Sequence, residues 1–313
     1  MDHTIYKVRK ANESKLLRLK NVVGVGIGNK VTKGVDTKRQ CIKVYVEKKV
    51  EAYNLSQKEI IPRTLDVIET DVIEIGKVEA LSFKEKMRPA KGGVSIGHYK
   101  VSAGTLGCLV RDRSSKDLLI LSNNHVLAQS NEAKIGDAIV QPGTYDGGKV
   151  AGDLIGYLER FVKVVKQRSF WLFWMFWVKD NMNIVDCAVA KPVSEKLVSS
   201  EIMKIGIPKG IAKAEEGMKL QKSGRTTGHT QGEVIDTDMT VKVDYGKFIA
   251  QFHHQIMAGA MSAGGDSGSL CLDMNKNAVG LLYAGSKKST IINPINEVLT
   301  LLNIELVVQN GEE

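Results

Sequence analysis

The chain has 313 residues, of which 43% are hydrophobic and 25% charged. These are ordinary values for a soluble globular protein, with enough chain for one large domain or two ordinary ones. Its 44 lysines and arginines against 35 aspartates and glutamates give a net charge of +9, which favours acidic partners, but the basic residues are scattered and form no recognisable nucleic-acid module, so no specific nucleic acid is expected. None of the four cysteines (Cys41, Cys108, Cys187, Cys271) belongs to a Cys-x-x-Cys pair, which argues against a zinc site of the usual spacing.

The N-terminal stretch MDHTIYKVRKANESK is polar and charged, without the apolar core of a signal peptide. No apolar run approaches the ~20 residues needed to span a bilayer. A cytoplasmic protein with reduced thiols is therefore expected. Apolar positions at Ile5, Val8, Leu16, Leu17 and Leu19 predict a short amphipathic helix over Thr4–Leu19. Val22–Gly28 (VVGVGIG) reads as a strand whose glycines admit a close neighbour. It lacks the Gly-Lys-Ser/Thr ending of a phosphate loop and the spacing of a dinucleotide fingerprint. Gln40–Lys48 alternates as a half-buried strand, and Asp71–Ile75 is another candidate. Residues 1–88 are thus expected to form a small α/β domain.

Lys84–Gly93 (KEKMRPAKGG), charged and rich in Pro and Gly, reads as an exposed linker. Beyond it, short β-like runs alternate with Gly/Asn/Asp turns at intervals of about ten residues, the texture of an all-β barrel or sandwich. These runs are Gly107–Val110, Leu118–Leu121, Ile184–Ala190, Lys219–Ser223, Gly232–Ile235, Leu270–Leu272 and Ala278–Leu282. Pro294–Leu302 reads as a helix with proline at its start, where a missing N–H costs nothing. Phe170–Trp177 (FWLFWMFW) holds all three tryptophans and three of the seven phenylalanines. It is either a buried strand or hairpin, or an exposed patch for a membrane surface or protein partner, helped in the latter case by Lys163, Lys166, Arg168 and Lys179.

Three segments carry chemistry. LILSNNHVLA presents His125 after an apolar strand, NIVDCAVA sets Asp186 among small apolar residues, and MSAGGDSGSLCL surrounds Ser267 with glycines. A serine hydroxyl is a poor nucleophile near neutral pH and needs an adjacent base, usually histidine. The base needs one fixed tautomer, which a buried carboxylate secures by accepting its other N–H. The glycines leave room for main-chain N–H groups to converge on a developing oxyanion, and Gly265 and Ser267 are the expected donors. His253-His254 precede the Ser267 loop closely enough to be a rival base.

GDSGS, preceded in order by NNHVLA and DCAVA, resembles the chymotrypsin/trypsin-like serine peptidases, with NNHV most similar to the HtrA-like bacterial branch. GGVSIGH, AGTLGCLV and SGRTTGHTQGEV, with GVGIGNK and IKVYVEKK near the N-terminus, resemble bacterial trypsin-like proteins that carry an extra N-terminal domain. The resemblance implies a mainly β fold: a chymotrypsin-like double β-barrel of two six-stranded barrels over residues 89–310, with a C-terminal helix, preceded by the small α/β domain in a regulatory or propeptide-like role. It implies a serine endopeptidase acting on polypeptide through an acyl-enzyme, with His125 as base, Asp186 as its orienter, Ser267 as nucleophile and no metal or organic cofactor required. The alternative is a catalytically silent or regulated protease-fold binding protein. By position in the family, Met261 would lie at the base of the substrate pocket and Gly285 in its wall, with a medium apolar side chain as the expected guest. Digestive members bury a newly cut N-terminus against the residue matching Asp266. No Ile-Val-Gly-Gly start follows the linker here, so either Asp266 has another partner or cleavage near Gly92-Gly93 matures the chain.

Overall fold

The structure is a computed structural model that describes residues 3–76, 83–100, 103–167 and 183–309. Phe170–Trp177 lies outside the described residues. The chain divides into two compact units, Met1–Leu81 and Ser82–Glu313.

In the first unit a helix, His3–Leu17, covers a four-stranded sheet. Val22–Thr32 pairs antiparallel with Val35–Val46, which runs parallel to Ile68–Glu74, and the short strand Thr64–Leu65 completes the sheet. Alternation decides which face is covered: Ile42 and Val44 are buried together with Ile5, Val8 and Leu16 of the helix. The glycines of VVGVGIG have a packing role. A Cβ on Gly24 or Gly26 would stand 3.3 Å from the Tyr45 ring, so their bare backbone makes room for an aromatic on the neighbouring strand.

The second unit is built on two large sheets, with a two-stranded one beside them. One has eight strands, in the order Ile304–Leu306, Cys108–Asp112, Leu118–Ser122, Ala188–Pro192, Leu154–Phe161, Ala138–Val140, Ser95–His98 and Gly104–Thr105. Ile96, Leu109, Ile120, Ile139, Ile155, Leu158, Ala188 and Ala190, from six of these strands, meet in one cluster, the interior of a barrel. The second sheet closes fully. Asn277–Gly285, Leu270–Asp273, Lys219–Gly224, Gly228–Asp244, Ile249–Gly259 and Ser289–Pro294 pair in turn, and the last returns to the first. Six strands thus close the second barrel, and a seventh, Gly210–Ile211, adds parallel to Asn277–Gly285. The first carries extra pairings at both ends, because the C-terminal strand Ile304–Leu306 adds to Cys108–Asp112 and Gly104–Thr105 adds to Ser95–His98.

The strands between the barrels read as unbroken apolar runs because both their faces are buried. Leu109 and Ile120 point into the first barrel, while Cys108, Val110, Leu119 and Leu121 pack against Leu270, Leu272 and Leu281 of the second and against the helix Ile295–Leu301.

The expected linker is instead part of this unit. Ala90–Gly92 is a strand paired with Val198–Ile202, and Arg88 donates to the carbonyl oxygens of Gln141 and Asp153. Its charges and glycines serve docking: a Cβ on Gly92 would fall 2.5 Å from the Gly107 carbonyl. All four cysteines are free and buried. Burial pushes the Cys108 and Cys271 thiols up to about 12, which keeps them protonated and inert. No helix among the described residues is long and apolar enough to cross a membrane.

Candidate active site

His125 sits in a single helical turn, Asn124–Leu127, immediately after the strand Leu118–Ser122. That strand pairs with Ala188–Pro192, Ala188 opposite Ser122, so the residues leading into the second strand lie beside those leaving the first. Asn123 fixes the approach by donating its amide to the Asp186 carbonyl at 2.7 Å. His125 Nδ1 lies 2.7 Å from Asp186 Oδ2, and the His125 backbone N–H donates to Oδ1 at 3.2 Å. Asp186 is fully buried. Burial raises the pKa of its carboxyl, but the His125 charge and the hydrogen bonds from His125 and Tyr245 outweigh that, holding it below the ordinary carboxylate range.

The second barrel supplies the rest of this cradle. Asn293 Oδ1 accepts the Asp186 N–H at 2.9 Å, Gln255 Oε1 accepts from Asn293 at 2.7 Å, and Gln255 donates onward to the Ile184 carbonyl at 2.7 Å. Tyr245, at the tip of the hairpin formed by Gly228–Asp244 and Ile249–Gly259, donates its hydroxyl to Asp186 Oδ2 at 2.6 Å. Its ring stacks on Phe248 and meets the His125 imidazole edge-on. Sequence reasoning missed Tyr245. Asp-Tyr-Gly-Lys signals a turn but not where the turn lands. Replacing Tyr245 with phenylalanine is expected to lower kcat by up to about tenfold with little change in KM. The Asp186 carboxylate then loses one of the hydrogen bonds that hold its pKa below the ordinary range.

Ser267 lies in the loop before the strand Leu270–Asp273. Gly265 (φ +97°) and Gly268 (φ +96°) adopt left-handed backbone, and a Cβ on Gly268 would fall 2.3 Å from the Thr105 carbonyl. Thr226 Oγ1 donates to the Gly264 carbonyl at 2.8 Å, and Ser269 Oγ donates to the Asp266 carbonyl at 2.6 Å. The N–H of a trans peptide points opposite its carbonyl. The N–H groups of Gly265 and Ser267 are thereby turned away from these partners, and neither has an acceptor among the described residues. Thr105 accepts from the Arg225 N–H and donates to the Gly265 carbonyl at 2.9 Å. Arg225 in turn binds Asp146 of the first barrel through Nε at 2.6 Å.

The serine loop reaches the histidine turn across Gly104: a Cβ there would lie 2.3 Å from the Val126 side chain and 3.0 Å from the Ser267 carbonyl oxygen. Ser267 Oγ donates to the Tyr283 carbonyl at 3.3 Å rather than to His125. Two adjoining cavities share Ala284, Gly285 and Ser286: one of about 640 Å³ contains His125 and Tyr245, the other, of about 290 Å³, contains Ser267. Gly285 lines both. Met261, expected in the pocket, is buried with the second-barrel core and lies against Gly232. His254 pairs with Asp238, and His253 lies by Gln251 and Thr240, so both belong to the hairpin rather than to the Ser267 loop.

Asp266 has an internal partner. Lys222 Nζ lies 3.0 Å from its Oδ2, and both side chains are fully buried. Thr227 Oγ1 and the Ala263 N–H also donate to Oδ2, while the N–H groups of Thr226 and Thr227 donate to Oδ1. Burial raises this carboxyl's pKa, but the Thr227 hydrogen bond and the Lys222 charge overcome it and set it below the usual range. Of the two alternatives for Asp266, the geometry supplies the first, while the backbone at Gly92-Gly93 is buried.

The second unit has the fold of the chymotrypsin-like serine proteases. It is similar to the protease of Nocardiopsis (17% identity, 69% of this chain and 97% of that chain, TM-score 0.50). It is also similar to protease A of Thermobifida fusca (18%, 70% and 98%, TM-score 0.49) and to a chymotrypsin of Cellulomonas bogoriensis (17%, 70% and 98%, TM-score 0.48). At these identities the likeness is one of fold. A family model described as the NARROW LEAF 1 N-terminal domain matches residues 4–75, most of the first unit. No curated protein matches the chain.

Proposed function

We propose that the chain is a serine endopeptidase that cleaves polypeptide through an acyl-enzyme at Ser267. The observation that carries this is the buried Asp186 carboxylate gripping His125 through both Nδ1 and the backbone N–H, beside a serine loop with two unclaimed amides. In this reading Ser267 Oγ attacks the scissile carbonyl carbon while His125 Nε2 takes the hydroxyl proton. The oxyanion receives hydrogen bonds from Gly265 and Ser267. His125 then protonates the leaving amine as the C–N bond breaks, and water enters by the reverse sequence to release the acid. Asp186, whose pKa lies below the usual range, stays ionised throughout and stabilises the imidazolium.

One observation favours a second reading, a catalytically silent or regulated protease-fold binding protein: the Ser267 hydroxyl bonds to Tyr283 rather than to the base. Catalytic hydrogen bonds often tighten only when substrate arrives. A fluorophosphonate probe separates the two readings. Covalent labelling of the full-length chain, mapped to Ser267 by peptide mass spectrometry, is expected of the peptidase; an unlabelled chain would favour the binding protein.

A further inference from the structure

The cavity beside Ser267 has a wall chemistry that bears on the substrate. At about 290 Å³ it is of a size to take one side chain, and no acidic residue lines it. Its polar side-chain groups, besides Ser267 itself, are Ser262, Ser286 and Lys287.

Proton accounting fixes what these groups offer. Thr290 is fully buried, and its Oγ1 accepts the Met261 N–H at 3.2 Å while lying 2.9 Å from Ser262 Oγ. A buried hydroxyl must place its own proton on an acceptor. Ser262 Oγ is the acceptor within reach, so Thr290 donates to it, and the Ser262 proton is left to point into the cavity. Ser286 Oγ accepts the N–H groups of Lys288 at 3.1 Å and Ser289 at 3.2 Å, so its own proton goes to Ser289 Oγ, 3.0 Å away, and it offers the cavity neither acceptor nor donor. Lys287 forms no ion pair among the described residues. Gly285 keeps the way to Ser262 open, since a Cβ there would stand 3.0 Å from Ser262 Oγ. The side-chain wall therefore offers one hydroxyl donor, Ser262, and one exposed cation, Lys287. An apolar guest would leave the donor at Ser262 unmatched, and a basic guest would meet Lys287.

We infer that this cavity takes an acidic side chain, glutamate or aspartate, from the residue whose carbonyl Ser267 attacks. This deepens the peptidase reading and rests on it. Lys287 supplies the counter-charge and Ser262 the fixed hydrogen bond, while the net charge of +9 favours approach of acidic segments.

The test uses the full-length chain and four peptidyl diphenyl phosphonates that differ only in the residue bearing phosphorus: glutamate, glutamine, leucine and lysine analogues. The glutamate probe is expected to label Ser267 at least about tenfold faster than leucine or lysine, with glutamine between, and the glutamate advantage over glutamine should shrink as salt rises. Lys287→Glu is expected to reverse the order of glutamate and lysine, and Ser262→Ala to slow glutamate and glutamine alike. Faster labelling by leucine or lysine in the unmodified chain, or labelling by a simple fluorophosphonate but by none of the four, would overturn the inference and leave the peptidase reading standing. Failure of the simple fluorophosphonate as well would instead remove the peptidase reading.

Discussion

Ser267→Ala is expected to lower kcat by about 10⁶-fold with the fold intact, and His125→Ala by a similar factor. The two groups act as a unit, so the double variant should be hardly slower than either single one, and a residual rate above water should persist because the amides of Gly265 and Ser267 remain. Asp186→Asn is a milder change. It keeps the shape but not the charge, and the residue opposite His125 Nδ1 becomes able to donate, which favours the wrong tautomer; a loss of about 10⁴-fold is expected. Turnover of a fluorogenic peptide by the four variants, with circular dichroism as the control for folding, checks the series. An Asp186→Asn enzyme of near-normal rate would mean that the pair seen at 2.7 Å is structural only.

Lys222→Met should produce the second large effect, this time on stability. It leaves the Asp266 carboxylate buried among hydrogen-bond donors with no opposite charge, at a cost of about 3–5 kcal/mol. The thermal midpoint of the unit would fall by roughly 10 °C. The pH dependence follows from the direction of the Asp266 shift. In the native chain its pKa is depressed, so its contribution is full above the unfolded carboxylate range and is lost as pH falls through the folded value. Without Lys222 the carboxyl titrates higher in the folded state, so the deficit is largest at neutral pH and narrows on acidification. Urea unfolding at pH 5 and pH 8 reads this directly. Lys222→Met combined with Asp266→Asn should recover much of the loss, since a neutral pair carries no stranded charge. A deficit independent of pH would point to packing as the cause. The pair also bears on maturation: with Asp266 already satisfied inside the fold, the full 34.3 kDa chain is expected to be the active species, checked by intact mass on labelled protein.

Local chemistry was legible in the sequence wherever a residue's role depends on its own neighbours. The left-handed backbone at Gly265 and Gly268 requires glycine, so the GGDSGS loop announces itself. Alternation exposed the strand at Gln40–Lys48, apolar runs between turns exposed those of the second unit, and apolar flanks marked Asp186 as shielded. The same locality explains the misreadings. Lys84–Gly93 has the composition of a linker, but its end, Ala90–Gly92, pairs as a strand with Val198–Ile202, and Arg88 finds acceptors in Gln141 and Asp153, far along the chain. Met261 packs with Leu220, Val234 and Ile256, a company that its distance from Ser267 along the chain does not reveal.

Tertiary structure alone decided the partners. Tyr245 reaches Asp186 across 59 positions, Asn293 across 107, and Lys222 meets Asp266 across 44. Such contacts leave no periodic trace in the chain, since they depend on which distant strands and loops the fold brings together. What the sequence determined by itself was which groups are able to react. Folding determined which donors and counter-charges surround them, and those surroundings set ionisation, tautomer and the direction of each amide.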